Sequence, residues 1–152
     1  MRAALAVFVA LVALGPSPSD AGPTDIARVD EYIDAPRALF GRTRAELEGR
    51  LGAPTSERAR ADRVVLSWPG LEVAVSRGAR VAGVVLRGAG RPLPHGLEVG
   101  APRARVEAVL GEATDTTDER AFYLDSDGFP NSVEFFFRDG RVTRIEWRFW
   151  AD

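Results

Sequence analysis

One helix-sized segment of this chain is written twice. Gly41-Arg42-Thr43-Arg44 through Leu51-Gly52-Ala53-Pro54-Thr55 returns as Gly100-Ala101-Pro102-Arg103 through Leu110-Gly111-Glu112-Ala113-Thr114. Gly41, Leu47, Leu51, Gly52 and Thr55 match Gly100, Val106, Leu110, Gly111 and Thr114 at a constant shift of 59. Thr43 and Glu46 have the spacing of a capping box, which satisfies amide groups at the start of a helix. Thr43, Leu47 and Leu51 fall on one face, and Glu46 and Arg50 are placed to pair on the surface. Gly52 tolerates the left-handed conformation that ends a helix, and Pro54 prevents its resumption. The second copy keeps the face with Val106, Val109 and Leu110. It opens on Pro102, whose missing N–H suits the first helical position, and it stops at Gly111.

Each helix is followed by β-rich runs. In the first half they are Arg63 to Trp68, Leu71 to Arg77 and Val81 to Leu86. In the second they are Arg120 to Leu124, Val133 to Arg138 and Val142 to Phe149. Asp139-Gly140 is a two-residue hairpin signal, because both central positions of a type I′ turn need positive φ. Alternation sends Val133, Phe135 and Phe137 to one face and Glu134, Phe136 and Arg138 to the other. In the last run it sets Thr143, Ile145, Trp147 and Phe149 against Val142, Arg144, Glu146 and Arg148.

The expected fold is α+β, with two tandem repeats of a helix plus a three-stranded antiparallel sheet. Residues 36–87 form the first repeat and residues 98–152 the second. Residues 88–97 are a Gly/Pro-rich linker, and residues 22–35 an extended leader with a short helix over Ile26 to Ile33, interrupted at Pro36. A half of roughly 60 residues is marginal alone. Without cysteine there is no disulfide to staple it, so the halves are expected to pack together through their sheets as one unit.

Residues 1–21 read as an export signal. Arg2 precedes an apolar run from Ala3 to Leu14, Pro16 and Pro18 break it, and Ser19-Asp20-Ala21 offers a cleavage site. The run is shorter than the roughly 20 apolar residues of a membrane span. The expectation is a periplasmic or secreted protein with no stable membrane anchor once the signal is removed. Formal charge is −2, and all 20 basic residues are arginine. Without lysine there is no Schiff-base chemistry, and scattered arginines in a near-neutral chain argue against a nucleic-acid partner.

The G-x-[ST]-R helix pattern of Gly41-Arg42-Thr43-Arg44, its second copy from Gly100 to Gly111 with Pro102 in place of the threonine, Phe137-Arg138-Asp139-Gly140-Arg141-Val142 and the late Trp147 together resemble the β-lactamase inhibitory protein (BLIP-like) fold. They are also similar to the outer-membrane assembly lipoprotein family BamE (SmpA/OmlA). The resemblance covers most of the chain after the signal. It implies tandem helix-plus-antiparallel-sheet units that bind proteins through sheet faces or loops. The lipoprotein's acylated cysteine and the inhibitors' disulfides have no counterpart here, and no inhibitory loop carries over.

No catalytic, metal or cofactor site is expected. His95, the one histidine, reads as a solvated linker residue. Asp125-Ser126-Asp127-Gly128 reads as a turn, since it lacks the further ligands of a calcium loop. Asp115, Asp118 and Glu119 read as a solvated loop. Glu72, Glu134 and Glu146 alternate with arginines and are expected in cross-strand ion pairs. The candidate binding surface is Phe136, Arg138, Arg144, Glu146 and Arg148, because arginine and aromatic side chains dominate protein interfaces. The competing expectation is that Phe136 is buried under the other repeat. The chain is thus expected to be an exported, non-catalytic binding or envelope accessory module whose partner is another envelope or secreted protein. The alternatives are a carboxylate-based hydrolase using Asp125, Asp127 or Glu134, and a purely structural accessory domain.

Overall fold

The structure, a computed structural model, describes residues 21–127 and 130–151. Apart from Ala21, the export signal expected over residues 1–21 lies outside the described residues. Three helices, α1 (Ile26–Phe40), α2 (Arg44–Leu51) and α3 (Arg103–Leu110), cover one face of a single sheet. Its strands are β1 (Ser56–Ala59), β2 (Arg63–Trp68), β3 (Leu71–Ser76), β4 (Val81–Leu86), β5 (Asp115–Thr117), β6 (Arg120–Leu124), β7 (Ser132–Arg138) and β8 (Arg141–Arg148). All neighbours are antiparallel, in the order β1-β2-β3-β4-β8-β7-β6-β5.

The fold is α+β, but one eight-stranded sheet replaces the two three-stranded sheets expected. Each half is a four-stranded meander, and the halves meet edge to edge through β4 and β8 rather than face to face. Val85 and Glu146 each stand five residues beyond the bridging arginines Arg80 and Arg141, and they pair directly. Corresponding positions therefore oppose one another at the seam, as an approximate two-fold axis requires. The seam satisfies two rows of backbone groups. It also turns the apolar faces of both halves to the same side, so one layer of helices covers both.

The repeated segments do the same work twice. In the first, Glu46 N–H donates to Thr43 Oγ1 at 3.2 Å, while Arg42 N–H donates to Glu46 Oε2 at 2.7 Å. Arg50 donates to the Ala38 carbonyl rather than pairing with Glu46 as expected. Pro102 stands one position outside α3, at its cap. Arg44 and Arg103, the corresponding first-turn arginines, each reach a glutamate one turn on, Glu48 and Glu107, at 2.8 Å. Arg44 also clamps Glu57 of β1, at 2.8 Å, and Arg103 reaches Thr116 Oγ1 of β5 at 2.7 Å. These clamps tie each helix to a short polar strand that alternation does not reveal. The acidic segment from Asp115, expected as a loop, begins with β5.

Helix α1 runs unbroken through Pro36 to Phe40 instead of stopping after Ile33. Proline has no N–H for the carbonyl four residues back, here Tyr32, which is the usual reason it breaks a helix. The indole N–H of Trp147 on β8 donates to that carbonyl at 3.1 Å. The Tyr32 ring lies between Phe135 and Trp147, at 5.4 and 5.7 Å between centroids. Its hydroxyl donates to the Leu97 carbonyl. Tyr32 thus pins α1 over the seam.

The same contact draws in the linker. Leu93 and Leu97 are buried in the common core, so residues 88–97 are part of the packed unit. His95 is not merely solvated: its Nε2 lies 3.0 Å from Glu31 Oε2. The leader is also held, since Glu112 N–H donates to the Gly22 carbonyl and Asp25 N–H to that of Leu110, both at 2.9 Å. A register shift at Phe136/Phe137 corrects the faces expected at the start of the last strand, and another shift falls at Ala74/Val75. In β8, Val142 pairs with Phe137 and enters the core, leaving Thr143 as the extra, exposed residue.

The helix stops differ in a testable way. Gly52 and Gly111 have φ of +77° and +75°, but a Cβ at Gly52 would meet nothing within 4 Å. At Gly111 it would fall 2.2 Å from the Pro23 carbonyl oxygen. Both alanine variants bear backbone strain of about 1–3 kcal/mol. Gly111→Ala is expected to cost about 1–2 kcal/mol more, by overpacking against the leader. Urea unfolding midpoints of the two variants check this.

Candidate binding face

The sheet face opposite the helices is covered by no described element. Strand pairing places Val65, Ala74, Gly83 and Val85 on it in the first half, and Glu134, Phe136, Arg144, Glu146 and Arg148 in the second. Alternation puts these side chains there because their strand neighbours, such as Val73, Val84, Phe135, Ile145 and Trp147, are taken into the core. Phe136 is half-buried by its strand neighbours, so the expectation that the other half lies over it fails. The halves meet by their edges, so neither half covers this face of the other.

Glu134 and Glu146 are direct cross-strand partners. Like charges in that position repel, and three arginines offset the repulsion. Arg120 Nη1 donates to Glu134 Oε1 at 2.7 Å and its Nη2 to Asp115 Oδ2 at 2.6 Å. The hydrogen bond to Glu134, with the charge of Asp115, raises the Arg120 pKa above its ordinary value. Arg144 Nε lies 3.0 Å from Glu146 Oε1 but out of line for a hydrogen bond. Its guanidinium carbon sits 3.8 Å from the centroid of the Phe136 ring. Arg148 Nη2 is 3.7 Å from Glu146 and 4.0 Å from Glu134.

The ion pairs expected of Glu134 and Glu146 are present, and Glu72 pairs with Arg87 at 2.6 Å and Arg58 at 3.7 Å. The Arg148 side chain is 66% exposed and that of Arg144 34%, against 20% for Glu146 and 10% for Glu134. The glutamates lie under the arginines, and the surface seen from solvent is cationic and aromatic. Phe136, Arg144, Glu146 and Arg148 therefore form one cluster. Arg138 does not belong to it: it pairs with Arg141 beside the Asp139-Gly140 turn and makes no ion pair among the described residues. That turn has both φ values positive, at 51° and 70°.

Sequence patterning missed two members. Arg120 holds Glu134 from β6, across a register that only the folded sheet defines. Trp150 is 58% exposed at the rim, beside a cleft of about 460 Å³ that Arg148 also lines. The doublet Phe149-Trp150 was its signal, because adjacent residues of an extended chain face opposite ways and cannot share one core.

The carboxylates named for hydrolysis are not brought together around a cleft. Glu134 is tied to Arg120, Asp125 accepts from Asn131 Nδ2 at 2.7 Å, and Asp127 is exposed on a turn. None of the three lines the cleft beside Trp150. Among the described residues, no group of three or more His, Cys, Asp or Glu side chains could hold a metal ion. No described helix is long and apolar enough to cross a membrane.

No protein-family model and no curated protein matches the chain. Among solved structures it is similar to a DUF4309 family protein (YjgB) from Bacillus subtilis. That likeness has 13% identity and a TM-score of 0.49, over 80% of this chain and 98% of that one.

Proposed function

We propose that this chain is an exported, non-catalytic module that docks another envelope or secreted protein on the open face of its sheet. In this reading its two halves are BLIP/BamE-like units fused at β4 and β8. The observation that carries it is the uncovered face itself, on which Arg144 lies over Phe136 with Arg148 beside them. Desolvating a guanidinium stacked on a ring gives large contact area at small entropic cost, as interface hot spots do. The small side chains of Ala74 and Gly83 on the neighbouring strands leave room for a partner to approach.

The test is a direct comparison of capture from periplasm or culture medium. Phe136→Ala and Arg144→Ala are each expected to weaken binding of the captured protein by about 10- to 100-fold, the size of an interface hot spot. Far-ultraviolet circular dichroism should remain unchanged. Reproducible turnover of a small molecule with no protein recovered would sink the proposal. Unchanged capture by both variants would favour a structural accessory domain.

A further inference from the structure

We infer that the end of the sheet around Trp150 is a site for an extended acidic segment of a protein partner. This rests on the protein-docking reading and gives that partner its chemistry. Trp68 and Trp147 are buried, and their indole N–H groups donate to backbone carbonyls. Trp150 is exposed, and its indole N–H makes no hydrogen bond among the described residues. Its position is nevertheless fixed. Trp150 N–H donates to Asn131 Oδ1 at 2.9 Å, and Phe149 N–H to the Ala82 carbonyl at 2.9 Å. The buried Phe149 ring lies under Arg37 at 4.1 Å. An anchored backbone that holds a tryptophan in water presents a platform for a ligand, since the ring offers wide contact area with few torsions to order.

Arginines flank that platform on both sides. The cleft of about 460 Å³ is lined by Arg63, Arg77 and Arg148, with Ala82, Pro130 and Phe149 as apolar wall. A second cleft of about 140 Å³, also bordered by Trp150, is lined by Arg37, Arg42 and Arg80. The carboxylates here are Asp62, bound to Arg63, Asp34, which faces Arg37 and Arg42, Asp125, whose charge acts on Arg37, and Glu146 and Glu134, at 3.7 and 4.0 Å from Arg148. Six guanidinium groups against five carboxylates leave a cationic excess on a chain of net charge −2, and it lies with the arginines that no carboxylate holds closely. Arg77 donates only to the Ala61 carbonyl, Arg80 has no ion pair among the described residues, and Arg148 has carboxylates no nearer than 3.7 Å.

Two cationic clefts that share one indole wall suit a ligand long enough to enter both. An extended peptide repeats its side chains on one face about every 7 Å. Carboxylates on either side of an apolar residue can then enter the two clefts while that residue lies on Trp150. Guanidinium forks match carboxylates in two-point hydrogen bonds. A small monovalent anion would use one cleft and leave the other unneutralised.

The test is a titration of the isotope-labelled full chain, followed by nuclear magnetic resonance, with the synthetic peptide Glu-Glu-Phe-Glu-Glu. Its neutral analogue Gln-Gln-Phe-Gln-Gln and a glucuronic acid hexamer are the comparison ligands. The Trp150 indole signal, identified by its loss in Trp150→Phe, is expected to move while those of Trp68 and Trp147 stay. The acidic peptide should bind at least about tenfold more tightly than the neutral one and weaken as salt is raised. Arg77→Gln with Arg80→Gln should weaken it about tenfold again, with unchanged thermal melting, because both side chains are exposed. A stationary Trp150 signal, or equal binding of the two peptides, overturns the inference. Tighter binding of the sugar acid overturns it in favour of an acidic glycan. If Phe136→Ala releases a captured partner and the Arg77/Arg80 pair does not, the acidic segment is wrong while protein docking stands. If no protein is captured at all, the docking reading itself fails.

Discussion

Replacing Trp147 by alanine is expected to remove about 3–5 kcal/mol of stability, the range for truncating a buried tryptophan. For a domain whose whole margin is about 5–15 kcal/mol, that is enough to populate unfolded chains at 37 °C. The loss has two parts that substitution can separate. The first is packing, because Trp147 is 1% exposed and stacked on Tyr32 at the seam. The second is the hydrogen bond to the Tyr32 carbonyl, which Pro36 leaves without its helical donor. Trp147→Phe retains an aromatic body and removes the donor, leaving a buried carbonyl unsatisfied at a cost of about 1–3 kcal/mol. Pro36→Ala returns an N–H to the helix. In that background Trp147→Phe should cost about 1 kcal/mol less than in the parent, read from urea unfolding of the four proteins. Additive effects, within about 0.5 kcal/mol, would show that Trp147 does not stand in for the missing amide.

At high pH the protein is expected to unfold through its two tyrosines. Tyr32 and Tyr123 are fully buried. Desolvation raises the pKa of both above the ordinary tyrosine value, helped by Glu98 at Tyr32 and by Glu107 at Tyr123, where Arg103 acts in the opposite direction. There is no lysine or cysteine, and arginine keeps its proton beyond about pH 12. The tyrosines are therefore the only side chains left to titrate through this alkaline range. The unfolded chain releases their protons near pH 10 while the folded chain retains them. The tyrosines' contribution to stability is thus constant below about pH 10 and falls above it by about 1.4 kcal/mol per pH unit for each tyrosine. Ultraviolet tyrosinate absorbance should stay flat until the near-ultraviolet circular dichroism collapses, and the two signals should change together. Tyrosinate formed reversibly in a still-folded protein near pH 10 would contradict this burial argument.

What could be read from the sequence was what short-range chemistry decides. Thr43 with Glu46, the glycine stops and the Asp139-Gly140 turn each act over a few residues, and each is where the pattern placed it. The missed elements depend on distant groups. Helix α1 passes Pro36 because of Trp147, whose bond to Tyr32 spans 115 positions. Strands β1 and β5 read SERA and DTT, with no alternation to betray them, and exist through pairing and the Arg44 and Arg103 clamps. The bulge that turns Val142 inward appears only once β7 and β8 are aligned. On the open face, alternation grouped Phe136, Arg144, Glu146 and Arg148 correctly. It also admitted Arg138, because alternation fixes a side and says nothing of distance along the strand. Arg120 was not legible, since it comes from a neighbouring strand whose register is set elsewhere.

The seam between the halves also governs how the molecule behaves among its own copies. A half ending on β4 would present the uncharged run VAGVVL as an unpaired edge, a template on which further chains could assemble. Pairing β4 with β8 removes both inner edges at once. The outermost strands are then only four and three residues long, exposed throughout, and bear Glu57, Arg58 and Asp115. Short charged edges of this kind resist strand addition. Fusing two halves in one chain thus ends sheet growth at eight strands and makes assembly self-limiting.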